Sequence, residues 1–407
     1  MNIPVHVQFI INTLENAGYE AFVVGGCVRD VLRGVTPKDW DVATSATPRQ
    51  AKALFARTVD TGIKHGTITV LLVGHHYEVT TYRVDGEYLD SRRPETVEFV
   101  SNIEEDLSRR DFTMNAIAYN PSMGFVDPFG GQSDIKHKII RCVGDPVHRF
   151  TEDALRMLRA IRFSGTTGFA ICPNLLEAIC KLNRNLANIS PERIREELTK
   201  LITSPYTGAI KFLQSTGLMP FVLQDREYGG NINEVTHWLK NCPAHEPMRM
   251  ALFLYWTVDG CESLLRDLRF DNKSIKEICT YVKMLEEPLE CDRYKIKKIL
   301  RHIPQDVFGN LLTLKTIICP QEARFFANIR VEAADIIEKD ECFTLGGLAV
   351  NGSDLAALGI PKGKEMGNIL ETLLDMVMRN PGLNTKDSLI TKLPELCPEV
   401  FPHKNIN

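Results

Sequence analysis

The sequence predicts an α+β fold, in which a small mixed sheet forms first and an all-helical part follows. Up to about residue 145, β-branched or alternating runs are bounded by turn residues, which is typical of strands; they are 22–26, 39–44, 67–73 and 76–83. After Thr151 such runs nearly vanish, and apolar residues recur at helical spacing. We therefore expect four parts, at 1–145, 146–205, 206–320 and 321–407.

The composition is that of a folded globular protein. Of 407 residues, 44% are hydrophobic and 25% are charged, which excludes wholesale disorder and a collagen-like or coiled-coil rod. The net charge is −4, so a polyanionic partner has to be held by local basic patches. No apolar run approaches the roughly 18 residues that span a bilayer, and the first residues lack the basic region of a signal peptide. We expect a cytoplasmic protein with no membrane partner.

The cysteines do not form a recognisable framework. There are 11 of them, an odd number, and no CxxC pair occurs. This pattern favours reduced thiols over a set of disulfides or a zinc site.

A pair of glycines follows the first predicted strand and opens a helical stretch. Gly25 and Gly26 have no side chains, so backbone N–H groups at the start of the helix can approach an anion. Arg29, one turn later, can add a fixed positive charge. The segment predicts a cradle for a triphosphate, although a glycine pair by itself is usually only a turn.

Two aspartates lie on the next predicted strand. Alternation places Asp39 and Asp41 on one face of that strand and Trp40 on the other. Carboxylates this close raise each other's proton affinity unless a cation neutralises them, and oxygen ligands of this kind suit Mg²⁺ together with substrate phosphates. The pair predicts a Mg²⁺ site; taken alone, it also fits a solvated strand edge.

Together, GGCVRDVLRG and PKDWDVAT resemble the head signature of class II nucleotidyltransferases of the DNA polymerase beta superfamily. That group contains the tRNA CCA-adding enzymes and the bacterial poly(A) polymerases. Further segments match in family order. Residues 109–116 (RRDFTMNA) resemble the RRDFTxNA motif, 127–146 the linker into the neck, 151–163 the base-reading motif, 189–198 the helix behind it and, more loosely, 348–374 a later family segment.

The resemblance assigns a role to each predicted part. It implies a polymerase-beta-like catalytic head at 1–145, a neck at 146–205 that recognises the nucleotide base, a helical body at 206–320 and a tRNA-binding tail at 321–407. It also implies nucleotide contacts from Gly26, Arg29 and Arg110. No His-Asp dyad of the HD-phosphohydrolase type occurs in the helical half, so we expect the bacterial type without an HD domain.

The base-reading motif can also be argued from its residues. Asp153 and Arg156 are three apart, so on a helix they would be neighbours and would present an acceptor beside a donor. Cytosine and adenine both show an amino donor next to a ring-nitrogen acceptor, whereas uracil and guanine do not. The pair would therefore accept C and A; the alternative is a surface ion pair of little consequence. Arg159 and Arg162 continue at the same spacing, and the resemblance implies that they contact the nucleotide.

Glu78 is a third candidate acid. Its strand could lie beside that of Asp41, so it would hold a metal or help to activate the primer hydroxyl; an ordinary strand glutamate facing water fits equally. His65, His75 and His76 have no ligand spacing, and we interpret them as structural or solvated.

Two further segments are each open to two interpretations. The turn-rich stretch 85–99, with Arg92 and Arg93, fits a mobile surface loop, and it also resembles the loop that full CCA-adding enzymes use to switch from C to A. A short predicted helix contains several basic residues that could follow RNA phosphates or form a solvated face: Arg293, Lys295, Lys297, Lys298 and Arg301.

Two helix boundaries carry their own signals. Ser190, Pro191 and Glu192 form an N-cap, a proline at the first helical position and an acid in the first turn, so a helix should begin there. Gly217 should end the segment before it, because a left-handed position favours glycine.

The expected activity is template-independent addition of C, C and A to the 3′ end of tRNA from CTP and ATP, with release of pyrophosphate. Asp39 and Asp41 would hold two Mg²⁺ ions about 3.5–4 Å apart. Three alternatives stay open: a poly(A) polymerase, a CC-only or A-only enzyme, and an inactive RNA-binding protein on the same scaffold. The oligomeric state stays open between a monomer and a homodimer.

Overall fold

The structure is a computed structural model that describes residues 1–86, 97–257, 260–398 and 400. Arg92 and Arg93 lie outside the described residues, so the interpretation of that loop stays a prediction. The chain forms two compact units, one of Met1–Lys240 with Ala244–Ile275, the other of Asn241–Pro243 with Lys276–Asn407. The four-part division also stays a prediction; the boundary between the two units lies within the segment expected to be the body.

The strands lie in the first unit. In chain order they are β1 Ala21–Val24, β2 Asp41–Thr44, β3 Thr58–Gly62, β4 Thr67–Leu72, β5 His75–Thr81, β6 Arg83–Asp85, β7 Val97–Phe99, β8 Ala118–Asn120, β9 Gly124–Val126, β10 Ile139–Ile140 and β11 Ala170–Ile171.

Within the described ranges, seven of these strands form one mixed sheet in the order β3-β4-β5-β2-β1-β8-β9. β2 and β5 run parallel, and the other neighbours are antiparallel. The predicted mixed sheet is therefore confirmed. β1 is buried along its whole length, as its unbroken apolar sequence requires, and β2 is buried after its first residue, Asp41.

The helices of the first unit surround and follow this sheet. They are α1 Val5–Asn16, α2 Gly26–Leu32, α3 Pro48–Leu54, α4 Ile103–Ser108, α5 Gly131–His137, α6 Pro146–Glu152, α7 Leu155–Thr167, α8 Pro173–Leu182, α9 Pro191–Ile202, α10 Lys211–Ser215, α11 Met219–Val222, α12 Ile232–Asn241, α13 Glu246–Leu254 and α14 Cys261–Asp267.

Both predicted helix boundaries are found. α9 begins at Pro191 with Ser190 in the N-cap position, although the serine side chain makes no capping hydrogen bond. Gly217 has φ +74°, the left-handed conformation expected just after a helix.

The described residues of the second unit form helices and connecting segments and no strand. Helix α15 (Asn272–Glu286) leads into it, and it continues with α16 Arg293–Leu300, α17 Gln305–Ile318, α18 Ala323–Glu338, α19 Gly352–Ala357, α20 Lys364–Arg379, α21 Lys386–Ile390 and α22 Leu393–Leu396. One core of this unit gathers Leu355, Leu373, Leu374, Val377 and Leu393. No helix in the described part of the chain is long and apolar enough to cross a bilayer.

Three of the five basic residues of α16 pair with acids from later in the chain. Arg293 pairs with Glu332 at 2.7 Å and with Asp335 at 2.8 Å, and Arg301 pairs with Glu371. Lys297 is 1% exposed and pairs with Glu341. Acids on α18, in the segment after it and on α20 neutralise these three residues, whereas Lys295 and Lys298 are exposed. The interpretation of α16 as a helix that follows RNA phosphates stays a prediction.

Candidate active site

One cleft of about 930 Å³ in the first unit collects nearly all the predicted site residues. Nine of the ten line it: Gly26, Arg29, Asp41, Glu78, Arg110, Asp153, Arg156, Arg159 and Arg162. Asp39 is the exception. Among the described residues, eight arginines and four carboxylates line this cleft, so it is locally basic although the chain is acidic overall.

The turn between β1 and α2 forms one end of the cleft. Gly25 adopts φ +73°, and a Cβ there would lie 2.8 Å from Nη1 of Arg110, so the glycine allows this arginine to approach the backbone. Arg29 Nη1 donates to Oδ1 of Asn115 at 2.8 Å, and Nε donates to Asp30 at 2.9 Å. The two arginines therefore lie close to the backbone of the turn that follows a buried strand.

The carboxylates lie next to this turn, in the floor of the cleft. In the parallel pair β2–β5, Asp41 is directly opposite Glu78, which confirms the predicted neighbouring strands. The cleft walls partly desolvate Asp41, and this burial, together with the negative charges of Glu78 and Asp39, raises the pKa of Asp41 to about 6 against the opposing effect of Arg110. A nearby cation would favour the ionised form of such a pair.

The prediction that Asp39 and Asp41 share one strand is wrong. β2 begins at Asp41, so Asp39 precedes the strand and alternation does not apply to it. Asp39 still lies near enough to act on the charge of Asp41. The residue that lies beside Asp41 in the sheet is Glu78, which the sequence left undecided.

The RRDFTMNA segment is held by two buried acids. Asp106 receives hydrogen bonds from Arg109 at 2.8 Å and from Arg110 at 3.0 Å. Burial alone would raise the pKa of Asp106, but these two guanidinium groups outweigh burial and lower it. Asp111 is likewise buried, and Arg159 donates to it from two nitrogens at 2.7 and 2.8 Å. The arginines of the cleft are therefore pre-oriented by charge-assisted hydrogen bonds.

The base-reading segment is not one continuous helix, which corrects the sequence prediction. α6 ends at Glu152, Asp153 is extended with φ −142° and ψ 101°, and α7 starts at Leu155. Asp153 and Arg156 are consequently not paired. Asp153 accepts from both terminal nitrogens of Arg193, at 2.7 and 3.2 Å, and Arg156 pairs with Glu152. Both side chains still face the same cleft.

The two arginines farther along α7 share one acid from the neighbouring helix. Glu197 on α9 is 3% exposed and accepts from Arg162 at 2.7 Å and from Arg159 at 3.4 Å. The Arg162 guanidinium also lies 3.7 Å from the centre of the Phe163 ring. Burial lowers the pKa of Arg162 despite this pairing with Glu197.

Several residues of the cleft were not predicted. Asp111, Asn115 and Arg193 line it, and so does His65, which we had interpreted as structural or solvated. The acid and the asparagine were visible within the RRDFTMNA motif itself. For Arg193 and His65 no local signal existed, because only the tertiary fold brings their elements to the cleft.

A divalent cation fits the carboxylate floor. Across the described part of the chain, no group of three or more His, Cys, Asp or Glu residues is arranged as a complete metal site. Mg²⁺ often takes only one or two protein carboxylates and fills its other positions with water and substrate phosphates. Asp41 and Glu78, which are opposite each other in the β2–β5 register, are a donor set of that kind.

Three models of known protein families match successive parts of the chain. Residues 21–141 match the family model described as "Poly A polymerase head domain", and residues 168–228 match "Probable RNA and SrmB- binding site of polymerase A". Residues 245–393 match a model of tRNA nucleotidyltransferase domain 2.

Relatives that match nearly the whole chain are named CCA-adding enzymes. The CCA-adding enzyme of Levilactobacillus brevis is 35% identical over 401 residues, 95% of this chain and 96% of the relative. That of Geobacillus thermodenitrificans is 38% identical over 401 residues, 95% of each chain. The crystal structure of the Bacillus stearothermophilus CCA-adding enzyme in complex with CTP superimposes with a TM-score of 0.83 at 32% identity, covering 98% of this chain and 100% of that one.

The chain matches these relatives over nearly its whole length, and it shares with them the head and the helical part that follows. The chain therefore belongs to the CCA-adding enzyme family of tRNA nucleotidyltransferases.

Proposed function

We propose that the protein adds C, C and A to the 3′ end of tRNA, using CTP and ATP and releasing pyrophosphate. The terminal hydroxyl oxygen attacks the α-phosphorus of the nucleotide, a new P–O bond forms, and the bond to the pyrophosphate breaks. The proposal rests on one observation: two in-register carboxylates, Asp41 and Glu78, lie between an arginine-flanked glycine turn and the polar groups of α7 in one cleft.

Different residues of the cleft would have different roles in the reaction. Gly26, Arg29 and Arg110 would bind the triphosphate, because backbone N–H groups at the start of a helix and fixed guanidinium groups neutralise phosphate oxygens. Glu78 would accept the proton that leaves the attacking hydroxyl. Positioning and charge neutralisation suffice for this reaction, so no covalent enzyme intermediate is needed.

Asp41 and Glu78, with Asp39 close by, would hold the divalent cation, which we propose to be Mg²⁺. When bound, the cation lowers the pKa of the attacking hydroxyl and neutralises charge on the phosphates. The pKa of Asp41, raised to about 6 by burial and by the nearby acids, supports a cation at this position.

Base choice would depend on Asp153 and Arg156. The carboxylate can accept from the amino group of cytosine or adenine, and the guanidinium can donate to the adjacent ring nitrogen. Because Asp153 is bonded to Arg193 and Arg156 to Glu152, these two partners would set the distance between the acceptor and the donor. Uracil and guanine would leave mismatched polar groups, which are costly when buried.

The relatives support the complete reaction over its alternatives. Those named here are CCA-adding enzymes, and the structural neighbour at 32% identity holds CTP. A poly(A) polymerase and a CC-only or A-only enzyme would use the same cleft, so product length decides among them.

A single incubation series tests the proposal. The protein would be mixed with a tRNA that lacks its terminal triplet, with each labelled nucleotide alone and with CTP and ATP together, and products would be resolved by length. We expect two additions from CTP alone and three from the mixture. Asp41→Asn should abolish all additions while the protein still unfolds cooperatively.

Other product patterns would identify the alternatives. A long run from ATP would show a poly(A) polymerase, and a stop after two residues would show a CC-only enzyme. Normal additions by Asp41→Asn would remove the proposed role of the carboxylate floor.

A further inference from the structure

We propose that the wall formed by Thr61, Gly62, His65 and Thr67 binds the terminal ribose of the RNA strand that is being extended. We call these four residues the hairpin wall; they line the same cleft as the carboxylates and lie at the end of β3, in the connection and at the start of β4. Within this wall, His65 is the positioning residue. The inference rests on the proposed function and deepens it, because it names the part of the cleft that receives the attacking hydroxyl.

A polar row crosses the sheet from the carboxylates to this wall. Asp41 is opposite Glu78, and Glu78 is opposite Thr69 on β4. The hydroxyl of Thr69 lies 2.9 Å from that of Thr61 on β3. Thr69 is opposite Val59 in the β3–β4 register, so the face that carries these two acids continues to the sheet edge as two threonine hydroxyls next to a valine.

A second pair of hydroxyls lies one step along the same face. Thr67 is opposite Thr80, and their hydroxyl oxygens are 3.0 Å apart. In each threonine pair one hydroxyl donates to the other, so one O–H and further lone pairs are left for a ligand. The wall can both donate to and accept from a ribose diol.

The position of the wall fits the direction of attack. In phosphoryl transfer, the attacking oxygen and the leaving oxygen lie roughly in line on opposite sides of the phosphorus. The phosphate-binding turn follows β1, which flanks β2 on one side; β5 and then β4 and β3 lie on the other. With the leaving pyrophosphate at the β1 side, the attacking hydroxyl arrives from the side of the hairpin wall.

The chain fixes His65 at the end of this wall. A one-turn helix, Ile63–His65, interrupts the hairpin after a register shift between Val59 and Gly62. Gly66 then adopts φ +83°, and a Cβ at this position would lie 2.9 Å from the Phe99 ring, so the turn is packed tightly there. This conformation presents the imidazole of His65 to the cleft.

The imidazole suits the terminal nucleotide of RNA. A neutral histidine offers one donor and one acceptor, and the 2′-hydroxyl of ribose is itself both a donor and an acceptor. A strand that ends in 2′-deoxyribose lacks that group. The hairpin wall would therefore help to distinguish RNA ends from DNA ends.

The experiment uses the full chain and an RNA minihelix of the tRNA acceptor arm without its terminal triplet, ending either in ribose or in 2′-deoxyribose. KM for each minihelix and KM for CTP would be measured for the unaltered protein, His65→Ala and Thr67→Val. We expect both variants to raise KM for the ribose-ended minihelix roughly three- to tenfold, the effect of one lost hydrogen bond. KM for CTP should stay unchanged, and the preference for ribose should fall.

The matched control is His76→Ala, an exposed histidine on β5 that does not line the cleft. It should leave all three KM values unchanged. The inference would be overturned if the His65 and Thr67 variants kept the full preference for ribose, or raised KM for CTP as much as KM for the minihelix. A failure of the unaltered protein to extend either minihelix would instead contradict the proposed function.

Discussion

Single buried acids set the positions of the arginines in the cleft. Asp106 holds two of them, Asp111 holds Arg159, and Glu197 holds Arg159 and Arg162 together. Each acid is nearly inaccessible to solvent. A guanidinium that is fixed before substrate arrives loses less conformational entropy on binding a phosphate or a base. These acids therefore contribute to binding without touching the substrate.

Asp111 gives a pH-dependent prediction. Burial would raise the pKa of Asp111, but the charge of Arg159 and the hydrogen bonds from Asn115 and Arg159 outweigh it and lower the pKa to about 2. A depressed pKa gives stability that is present above the unfolded value near 4 and is lost as the pH falls toward 2. This lowering corresponds to about 2 kcal/mol of free energy of unfolding.

We expect Asp111→Asn to lower the free energy of unfolding by at least that amount at pH 7. The difference from the unaltered protein should shrink below pH 4, which urea titrations from pH 2 to pH 7 would measure. Asp267→Asn is the control, because Asp267 is half exposed in its pair with Arg226 and should change stability by less than about 1 kcal/mol. A gap for Asp111→Asn that is constant across this pH range would contradict the argument.

Two helices that are separate in the sequence, α7 and α9, together form the base-facing side of the cleft. α7 carries Arg156, Arg159 and Arg162, and α9 carries Arg193 and Glu197. The sequence predicted helical segments at both places and the site residues Arg156, Arg159 and Arg162 on α7, but not the roles of Arg193 and Glu197 on α9. It did not predict the break in the helix at Asp153, because no proline or glycine marks the break and the helical spacing of apolar residues continues across it. The one local signal is the aspartate itself, whose Oδ1 accepts from the backbone N–H of Leu155 at 3.1 Å.

The closeness of α7 and the turn after α9 depends on Gly165. A Cβ at Gly165 would lie 2.6 Å from Oγ of Ser204 and 3.0 Å from a methyl group of Leu201. We expect Gly165→Ala to push the two elements apart and to lower the free energy of unfolding by about 1–3 kcal/mol. It should also raise KM for CTP, since Arg159 and Arg162 on α7 would shift relative to Glu197 on α9.

Gly208→Ala is the matched control, because a Cβ at Gly208 meets no atom within 4 Å. Chemical denaturation and CTP titration of both variants would test the prediction. If the two alanine variants unfolded at the same denaturant concentration, the contact at Gly165 would not govern the helix spacing.

At the level of the whole molecule, every residue that lines the cleft belongs to the first unit. The sequence predicted most of this cleft because its motifs occur within about the first 200 residues. It did not predict the ion pairs of Arg293, Lys297 and Arg301 on α16. Their partners Glu332, Glu341 and Glu371 come from segments about 40 to 70 residues later, and no local pattern shows such pairing.

Whether nucleotide binding is independent of the stability of the second unit can be tested at Lys297, which is 1% exposed. Its ammonium group donates to the carbonyl of Met378 at 3.0 Å, near the end of α20, and pairs with Glu341. Lys297→Met keeps the apolar stem but leaves a helix carbonyl and part of a buried carboxylate unsatisfied. We expect the free energy of unfolding of the second unit to fall by about 3 kcal/mol, the lower end for a broken buried pair because Arg293 still holds Glu341.

The affinity for CTP should stay unchanged in Lys297→Met, because all the described residues that line the cleft belong to the first unit. Hydrogen exchange of α16, α18 and α20, measured beside a CTP titration, would separate the two effects. Lys298→Met is the control on the same helix: its ammonium group is exposed and lies 5.1 Å from the Tyr294 ring, so the loss should be within about 1 kcal/mol. If CTP affinity fell in step with the stability of the second unit, the cleft would not be a self-contained nucleotide site, and the helical part would have to act in nucleotide binding.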